Sequence, residues 1–111
     1  MSRSDNNADT TLVARCKAGE LQAFAQLYRQ HVQKTYRACC AMVGDPAEAE
    51  DLLQDTFVLA FRKIHTFDNT SQFSTWLYGI ALRLAANQRR SRRRRQRLKA
   101  AHIEANPQPA K

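Results

Sequence analysis

Apolar side chains recur every three or four positions along three long stretches of this chain, the spacing that places them on one face of an α-helix. The first stretch begins after Glu20, the second after Asp45 and the third after Ser74. A shorter stretch with the same spacing precedes them and ends at Gly19. No segment shows the alternation of apolar and polar residues that is typical of a β-strand. The pattern predicts an all-α fold, a small helical bundle of three main helices plus a short N-terminal helix.

The second main helix has the clearest start signal in the sequence. Asp45 is a candidate N-cap, Pro46 suits the first helical position, and Glu48 can reach back to complete a capping box. The helix that follows is expected to bury Ala49, Leu52, Leu53, Thr56, Phe57, Ala60, Phe61 and Ile64.

The length of 111 residues and the apolar fraction of 43% suit a single small domain. Because Asp9 and Thr10 are candidate N-caps of the first helix, residues 1–9 are predicted to be a disordered arm and residues 10–98 the domain. The last helix is expected to run on into a series of arginines. Residues 99–111 are interpreted as a flexible tail or the start of an interdomain linker. Since no apolar stretch approaches the ~20 residues that span a bilayer, we expect a cytoplasmic protein without membrane insertion.

The net charge of +8 is concentrated in residues 89–99, which contain eight basic side chains and no acid. The rest of the chain has ten basic and ten acidic residues and is neutral. Such a run repels itself and is stabilised by phosphates, because counterion release favours its binding to a polyanion. An anionic membrane surface is the alternative to nucleic acid. We favour nucleic acid, since the apolar face fades after Leu84 and leaves only Leu98 within the basic run to insert.

Acidic residues gather at the start of the second main helix, where five acids and no base lie between Asp45 and Asp55. Glu48, Asp51 and Asp55 have a spacing that places them on one helix face. One interpretation is a solvated face whose acids suit the helix dipole. The other is a docking surface for a basic partner, to which Gln54 adds a directional hydrogen bond.

Aromatic residues surround the polar loop that precedes the last helix. Rings for stacking, beside hydroxyl and amide groups, are what unpaired bases need. The alternative, favoured for Phe67 and Phe73 taken singly, is that these rings close the end of the bundle. Trp76 differs from them, because it lies off the apolar stripe of its helix. It shares a helix face with Arg83, Asn87 and Arg90.

The sequence contains no catalytic or metal-binding pattern. Its three glycines are scattered singly, so they form no phosphate-binding loop. No serine or cysteine has a histidine at the sequence spacing of a known nucleophile–base motif. Cys16, Cys39 and Cys40 form neither a disulfide framework nor a zinc motif, so they are interpreted as reduced thiols. We therefore predict a protein that is not an enzyme and that requires no metal or cofactor.

In their order and spacing, these segments resemble region 2 of the extracytoplasmic-function (ECF) sigma factors of bacterial RNA polymerase. Three motifs within about residues 12–98 carry the resemblance. The first consists of Leu12-Val13, Gly19-Glu20, Ala23-Phe24, Leu27-Tyr28 and His31. The second is Gly44-Asp45 followed by residues 49–57, and the third is residues 73–81. The chain departs from the family pattern at Gly79 and at Leu82-Arg83.

The resemblance implies a sigma region 2 fold and a transcription initiation factor without catalytic activity. Its polymerase-binding residues would be Glu48, Asp51, Gln54 and Asp55, which would dock on the coiled coil of the β′ subunit of core RNA polymerase. An anti-sigma factor is a further implied partner. Because a complete family member also carries a domain for the −35 element, the chain is either a fragment or a one-domain variant.

Promoter DNA is the second partner that the resemblance implies. The loop would hold a base flipped out of the non-template strand of the −10 element, and one face of the last helix would contact that strand and the flanking duplex. The residues assigned to this contact are Phe67, Asp68, Asn69, Thr70, Ser71, Gln72, Phe73, Ser74, Thr75, Trp76, Arg83, Asn87 and Arg90. Those assigned to the phosphate backbone are Arg89, Arg92, Arg93, Arg94 and Arg95.

A generic arginine-rich module that binds RNA or DNA is the alternative function. In that case the segment at 89–99 folds on its ligand and the acidic helix has no role. Binding to core RNA polymerase through the acidic face discriminates between the two, because only a sigma factor requires it.

Overall fold

The computed structural model describes residues 2–105, with side chains described for residues 9–102. Within this range the chain forms four α-helices: α1 (Ser2–Lys17), α2 (Leu21–Val43), α3 (Pro46–Lys63) and α4 (Phe73–Ala105). A 3₁₀ turn at Ile64–Thr66 follows α3, and no strand occurs in the described part. The predicted all-α bundle of three main helices and a shorter first helix is confirmed.

Glycines end the first two helices where the sequence predicts it. Gly19 and Gly44 both have positive φ angles, of 97° and 76°. The N–H of Gly44 donates to the carbonyl oxygen of Cys40 at 2.9 Å, which satisfies a carbonyl group at the end of α2. The apolar stripe after Glu20 forms one continuous helix.

Helix α1 starts earlier than the cap residues predict. It begins at Ser2, whereas residues 1–9 were assigned to a disordered arm and Asp9 to a cap. Asp9 is instead buried inside the helix, where its carboxylate bonds to a side chain of α2. No glycine or proline interrupts residues 2–8, so the backbone can continue the helix past Asp9. At the other end, α4 continues to Ala105, into the segment assigned to the tail.

The capping box of α3 is not formed. Asp45 occupies the N-cap position and its carbonyl oxygen accepts from the N–H of Ala49 at 2.8 Å, but its side chain makes no capping hydrogen bond. Glu48 turns away to pair with an arginine of α4. A charged partner outside the helix thus replaces the predicted local contact. Pro46 occupies the first turn as predicted.

Two clusters of buried side chains make up the core. The larger lies where α1 and the 3₁₀ turn close one end of the bundle, and it includes Leu27, Phe57 and Leu77. The smaller joins the other halves of α2, α3 and α4, and consists of Cys39, Ala49, Leu52, Ala81 and Ala85. Phe61 was expected to be buried but is 46% exposed, and its ring contacts that of partly buried Phe24 edge-on at a centroid distance of 5.0 Å.

Helix α4 is longer than the bundle that supports it. Its 33 residues correspond to about 50 Å of helix, and every residue from 89 to 102 is exposed. None of the described helices combines the length with the apolar character that spanning a bilayer requires. The fold therefore presents a basic helical extension beside a compact bundle.

Candidate nucleic-acid interface and docking surface

The loop between the 3₁₀ turn and α4 is fixed at its first residues. The N–H of Phe67 donates to the carbonyl oxygen of Ile64 at 3.1 Å, and the ammonium group of Lys17 donates to the carbonyl oxygen of Phe67. Asp68 accepts hydrogen bonds from the N–H and the hydroxyl of Thr70, at 3.1 and 2.8 Å. Asn69 at the tip has a φ of 63°, a conformation that asparagine tolerates better than most residues.

Hydrogen bonds from Thr70 also affect the ionisation of Asp68. The side-chain and backbone hydrogen bonds from Thr70 lower the pKa of Asp68, because they favour its charged form. Residues 68–72 are all exposed. The loop is therefore a turn fixed by hydrogen bonds, and it presents amide and hydroxyl groups to solvent.

An open cleft of about 360 Å³ lies between this loop and α1. The loop contributes one wall and α1 the other, with buried aromatic side chains beneath. The lining residues are Asp9, Thr10, Val13, Phe67, Asn69, Thr70, Ser71, Gln72 and Phe73. Six of these nine belong to the segment predicted to recognise the −10 element, whereas the three from α1 were not predicted.

The aromatic residues of the junction form one cluster. The rings of Phe67 and Phe73 are 5.9 Å apart, and the ring of Trp76 lies 5.0 Å from Phe67 and 5.8 Å from Phe73. Phe67 is 3% exposed and Phe73 2%, whereas Trp76 is only partly buried. These distances and exposures support the interpretation that Phe67 and Phe73 close the bundle end. Trp76 has the most accessible ring of the three.

Replacing Phe73 by Ala is expected to destabilise the fold by about 3–5 kcal/mol, because a fully buried aromatic side chain leaves a cavity. Gln72→Ala, one residue away and exposed, should change the free energy of unfolding by no more than about 0.5 kcal/mol. Urea unfolding followed by circular dichroism measures both. Equal stabilities of the two variants would contradict the assignment of Phe73 to the core.

The predicted DNA-contacting face of α4 is accessible. Arg83, Asn87 and Arg90 are exposed, and the guanidinium of Arg90 donates to the amide oxygen of Asn87 at 2.9 Å. Ser74 and Thr75, also exposed, lie at the start of the helix. Both border a second hollow, of about 300 Å³, on the side of α4 that faces α2. Polar groups thus follow α4 from the loop towards the arginines.

The arginine run does not stand apart from the acidic face. Arg92 forms an ion pair with Glu48 of α3, and Arg89 donates a hydrogen bond of 3.5 Å to the carbonyl oxygen of Met42 near the end of α2. Arg93, Arg94 and Arg95 are exposed.

The four predicted polymerase-binding residues differ in accessibility. Asp51, Gln54 and Asp55 are exposed, whereas Glu48 is partly buried and ion-paired. Asp55 lines a groove between α3 and α4 together with Arg94 and Arg95. The structure therefore brings together the two charged surfaces that the sequence treats as separate.

One polar pair at the cleft was missed by the sequence-based assignment of the site. The carboxylate of Asp9 lies 2.9 Å from Nε2 of His31, and the two side chains are only 11% and 13% exposed. The sequence predicts Asp9 as a helix cap and His31 as an ordinary polar or interfacial residue. A polar residue within an otherwise buried stripe was the available signal, but its partner is 22 residues away.

The described residues include three cysteines and several other residue types that can ligate metals. No group of three or more His, Cys, Asp or Glu side chains there is arranged to hold a metal ion. The three cysteines are free thiols, and burial raises the pKa of Cys39 to about 11, which disfavours the reactive thiolate.

Comparison with known proteins gives concordant matches. The family model described as Sigma-70 region 2 matches residues 27–95. The ECF RNA polymerase sigma factor SigW of Bacillus subtilis is 37% identical over 81 residues, which cover 73% of this chain and 43% of SigW. The ECF RNA polymerase sigma factor BldN of Streptomyces coelicolor is 38% identical, over 95% of this chain and 42% of BldN. The chain thus spans less than half of the length of these two relatives.

A solved structure is also similar. It is the NMR structure of an engineered region 2 of sigmaE in complex with GTAAAA. The TM-score is 0.73 and the sequence identity 33%, and the match covers 78% of this chain and 90% of the other.

Proposed function

Because the chain belongs to the sigma-70 region 2 family, we propose that it is the part of an ECF sigma factor that binds core RNA polymerase and that recognises and melts the −10 promoter element. The observation that carries the proposal is the open cleft beside the loop at 68–72, which lies next to the polar face of α4. In this proposal the cleft captures one base flipped out of the non-template strand. A related region 2 has been solved in complex with GTAAAA, which supports DNA as the ligand.

Hydrogen bonds have to provide most of the free energy for capturing a flipped base in the cleft. Unpairing a base costs a few kcal/mol, and stacking on an aromatic ring returns about 1–3 kcal/mol. Phe67 and Phe73 offer almost no free surface for stacking, since both are buried. The exposed amide and hydroxyl groups of residues 69–72 therefore have to supply the remaining free energy and the base preference.

Contacts along α4 extend the interface from the captured base to the neighbouring DNA. Trp76 borders the loop, and Arg83, Asn87 and Arg90 continue from it on one exposed side of the helix. They would contact the non-template strand and the flanking duplex. The arginines from 92 to 95 then act on the phosphate backbone, which fixes position and carries no sequence information.

Docking on core RNA polymerase is assigned to the exposed acids of α3. Asp51, Gln54 and Asp55 would contact the coiled coil of the β′ subunit, where opposite charge raises the association rate and fixes the orientation. Glu48 would contribute less than these three, because Arg92 already neutralises it. An anti-sigma factor remains a proposed partner, for which the ECF relatives are the support.

The proposal predicts that the chain, with core RNA polymerase present, binds single-stranded non-template −10 DNA at least about tenfold more tightly than the same sequence as duplex. The single strand already lacks the pairing that costs a few kcal/mol to break. Fluorescence anisotropy with matched labelled oligonucleotides measures both affinities. Equal affinities would favour the generic arginine-rich module.

A loop exchange adds a control to this measurement. Replacing residues 67–73 by the corresponding loop of a related sigma factor should change the preferred base, because the loop carries the hydrogen-bonding groups of the cleft. The affinity for core RNA polymerase should stay unchanged, since the acids of α3 are outside the exchanged segment. A chimera that keeps the original base preference would remove the loop from base recognition.

A further inference from the structure

We propose that Asp9 of α1, held in place by His31 of α2, determines which base the cleft accepts, and that it selects bases with an exocyclic amino group against thymine. This inference rests on the proposed function, because it concerns the same cleft. It adds to the loop a second recognition wall from a helix that the sequence-based assignment did not include. Asp9 would contact the base, and His31 would act as a positioning residue.

The position of Asp9 is the first support. It lines the cleft on the side opposite the exposed loop residues 69–72, so a base that enters the cleft lies between them. Only 11% of its side chain is exposed. A carboxylate buried to this extent interacts with whatever fills the cleft more strongly than a surface carboxylate does, since water screens it less.

The rigidity of Asp9 is the second support. Its Oδ2 atom lies 2.9 Å from Nε2 of His31, and the ring of His31 packs 5.2 Å from that of buried Phe73. Lys17, two turns along α1, donates to the carbonyl oxygen of Phe67 and so ties α1 to the start of the loop. Both walls of the cleft are thus connected to each other and to the core. Discrimination between bases needs such preorganisation.

Charge provides the third argument. A carboxylate beside a nucleic-acid strand is unfavourable, because it repels the phosphates that the arginines of α4 attract. It favours binding only where a base supplies hydrogen-bond donors to it. An ionised carboxylate accepts at about four lone-pair sites, so the bond with His31 leaves acceptor capacity.

Base chemistry then determines the preference. Cytosine N4, adenine N6 and guanine N2 are amino groups that donate to a carboxylate, whereas thymine presents a carbonyl oxygen in place of the amino group. Thymine keeps only its N3–H as a donor, between two carbonyl oxygens that repel the carboxylate. The amides of Asn69 and Gln72 on the opposite wall can donate to the ring acceptors that the amino bases also carry.

Asp9→Asn tests the proposal with little change in shape. The amide oxygen of Asn can still accept from His31, whereas its amide NH₂ group donates into the cleft where the carboxylate accepted. The 111-residue chain and the variant are each used to select from a single-stranded DNA library randomised at six positions. We expect the original chain to reject thymine at one position, by about tenfold in affinity, and the variant to lose that rejection at that position alone.

Glu20→Gln is the matched control. It also removes one negative charge near the C-terminal end of α1, but Glu20 is exposed, pairs with Arg15 and does not line the cleft. Glu20→Gln should bind all DNA slightly more tightly, because it is more positive by one charge, and should keep the original base preference. A change in base preference that appears in both variants would overturn the role of Asp9.

A measurement on the unchanged chain avoids any effect of the substitution on folding. In the selected oligonucleotide, the base at the discriminating position is replaced by an analogue without the amino group, purine for adenine or 2-pyrimidinone for cytosine. An affinity loss of about tenfold is expected. Preference for single strand over duplex without any loss on amine removal would overturn this inference and leave the proposed function standing. Equal affinity for single strand and duplex, with core RNA polymerase present, would overturn both.

Discussion

Replacing Asp51 and Asp55 together by Arg is expected to weaken binding to core RNA polymerase by at least about 100-fold, because like charges placed against each other at an interface cost several kcal/mol. Both side chains are exposed, so their contribution to folding is small and the helical content should be unchanged. Surface-immobilised core polymerase and a concentration series of each variant give the two affinities, with far-UV circular dichroism as the check on folding.

The double reversal needs two controls, because Asp55 also lines the groove between α3 and α4. Arg at position 55 would face Arg94 and Arg95, so part of the effect could come from displacing α4. Asp51→Asn with Asp55→Asn separates the two causes, since it removes the attraction without adding repulsion. Glu50→Arg reverses an exposed acid of α3 that lines a hollow with residues of α2 and should leave the affinity nearly unchanged. Unchanged affinity in the Asp51 and Asp55 double reversal would refute the docking assignment.

Neutralising Arg92, Arg93, Arg94 and Arg95 by Gln is expected to weaken DNA binding on the order of 10³-fold near 0.1 M salt, about equally for every sequence. Counterion release is the reason. Each lost phosphate contact reduces the slope of log K against log salt concentration by roughly 0.7–0.9. Anisotropy titrations of the original chain and the variant at several salt concentrations yield the slopes. Selective loss of one promoter sequence would show that these arginines read bases.

Single substitutions within the run make a sharper comparison. Arg92 is paired with Glu48, whereas Arg93 is exposed and has no described carboxylate partner. Arg92→Gln should therefore flatten the salt dependence less than Arg93→Gln, because a phosphate has to displace Glu48 from Arg92. Glu48→Gln should in turn strengthen DNA binding slightly by freeing Arg92. Equal slopes for the two arginine variants would mean that the ion pair does not persist in solution.

The helices themselves were predictable from the sequence, because their signals are local. A repeat of three and four positions requires only neighbours along the chain, and Gly19 and Gly44 end α1 and α2 through backbone angles that glycine adopts easily. Pro46 and the turn at 68–72 likewise act within a few residues. Burial depends on what packs against a helix face, and there the prediction was wrong for Phe61, which is 46% exposed. The predicted capping box is also not formed, because Glu48 pairs with Arg92 of α4.

The candidate site divides in the same way. The sequence by itself indicated the polar loop, the acids of α3 and the arginines of α4, since composition and spacing carry the chemistry of each. Only the packing of the helices placed Asp9 against His31 and Glu48 against Arg92. A charged side chain has no periodic pattern that identifies its partner. Its partner is determined by how the bundle brings distant helix faces together, which is why the second wall of the cleft and the contact between acids and arginines belong to the tertiary structure.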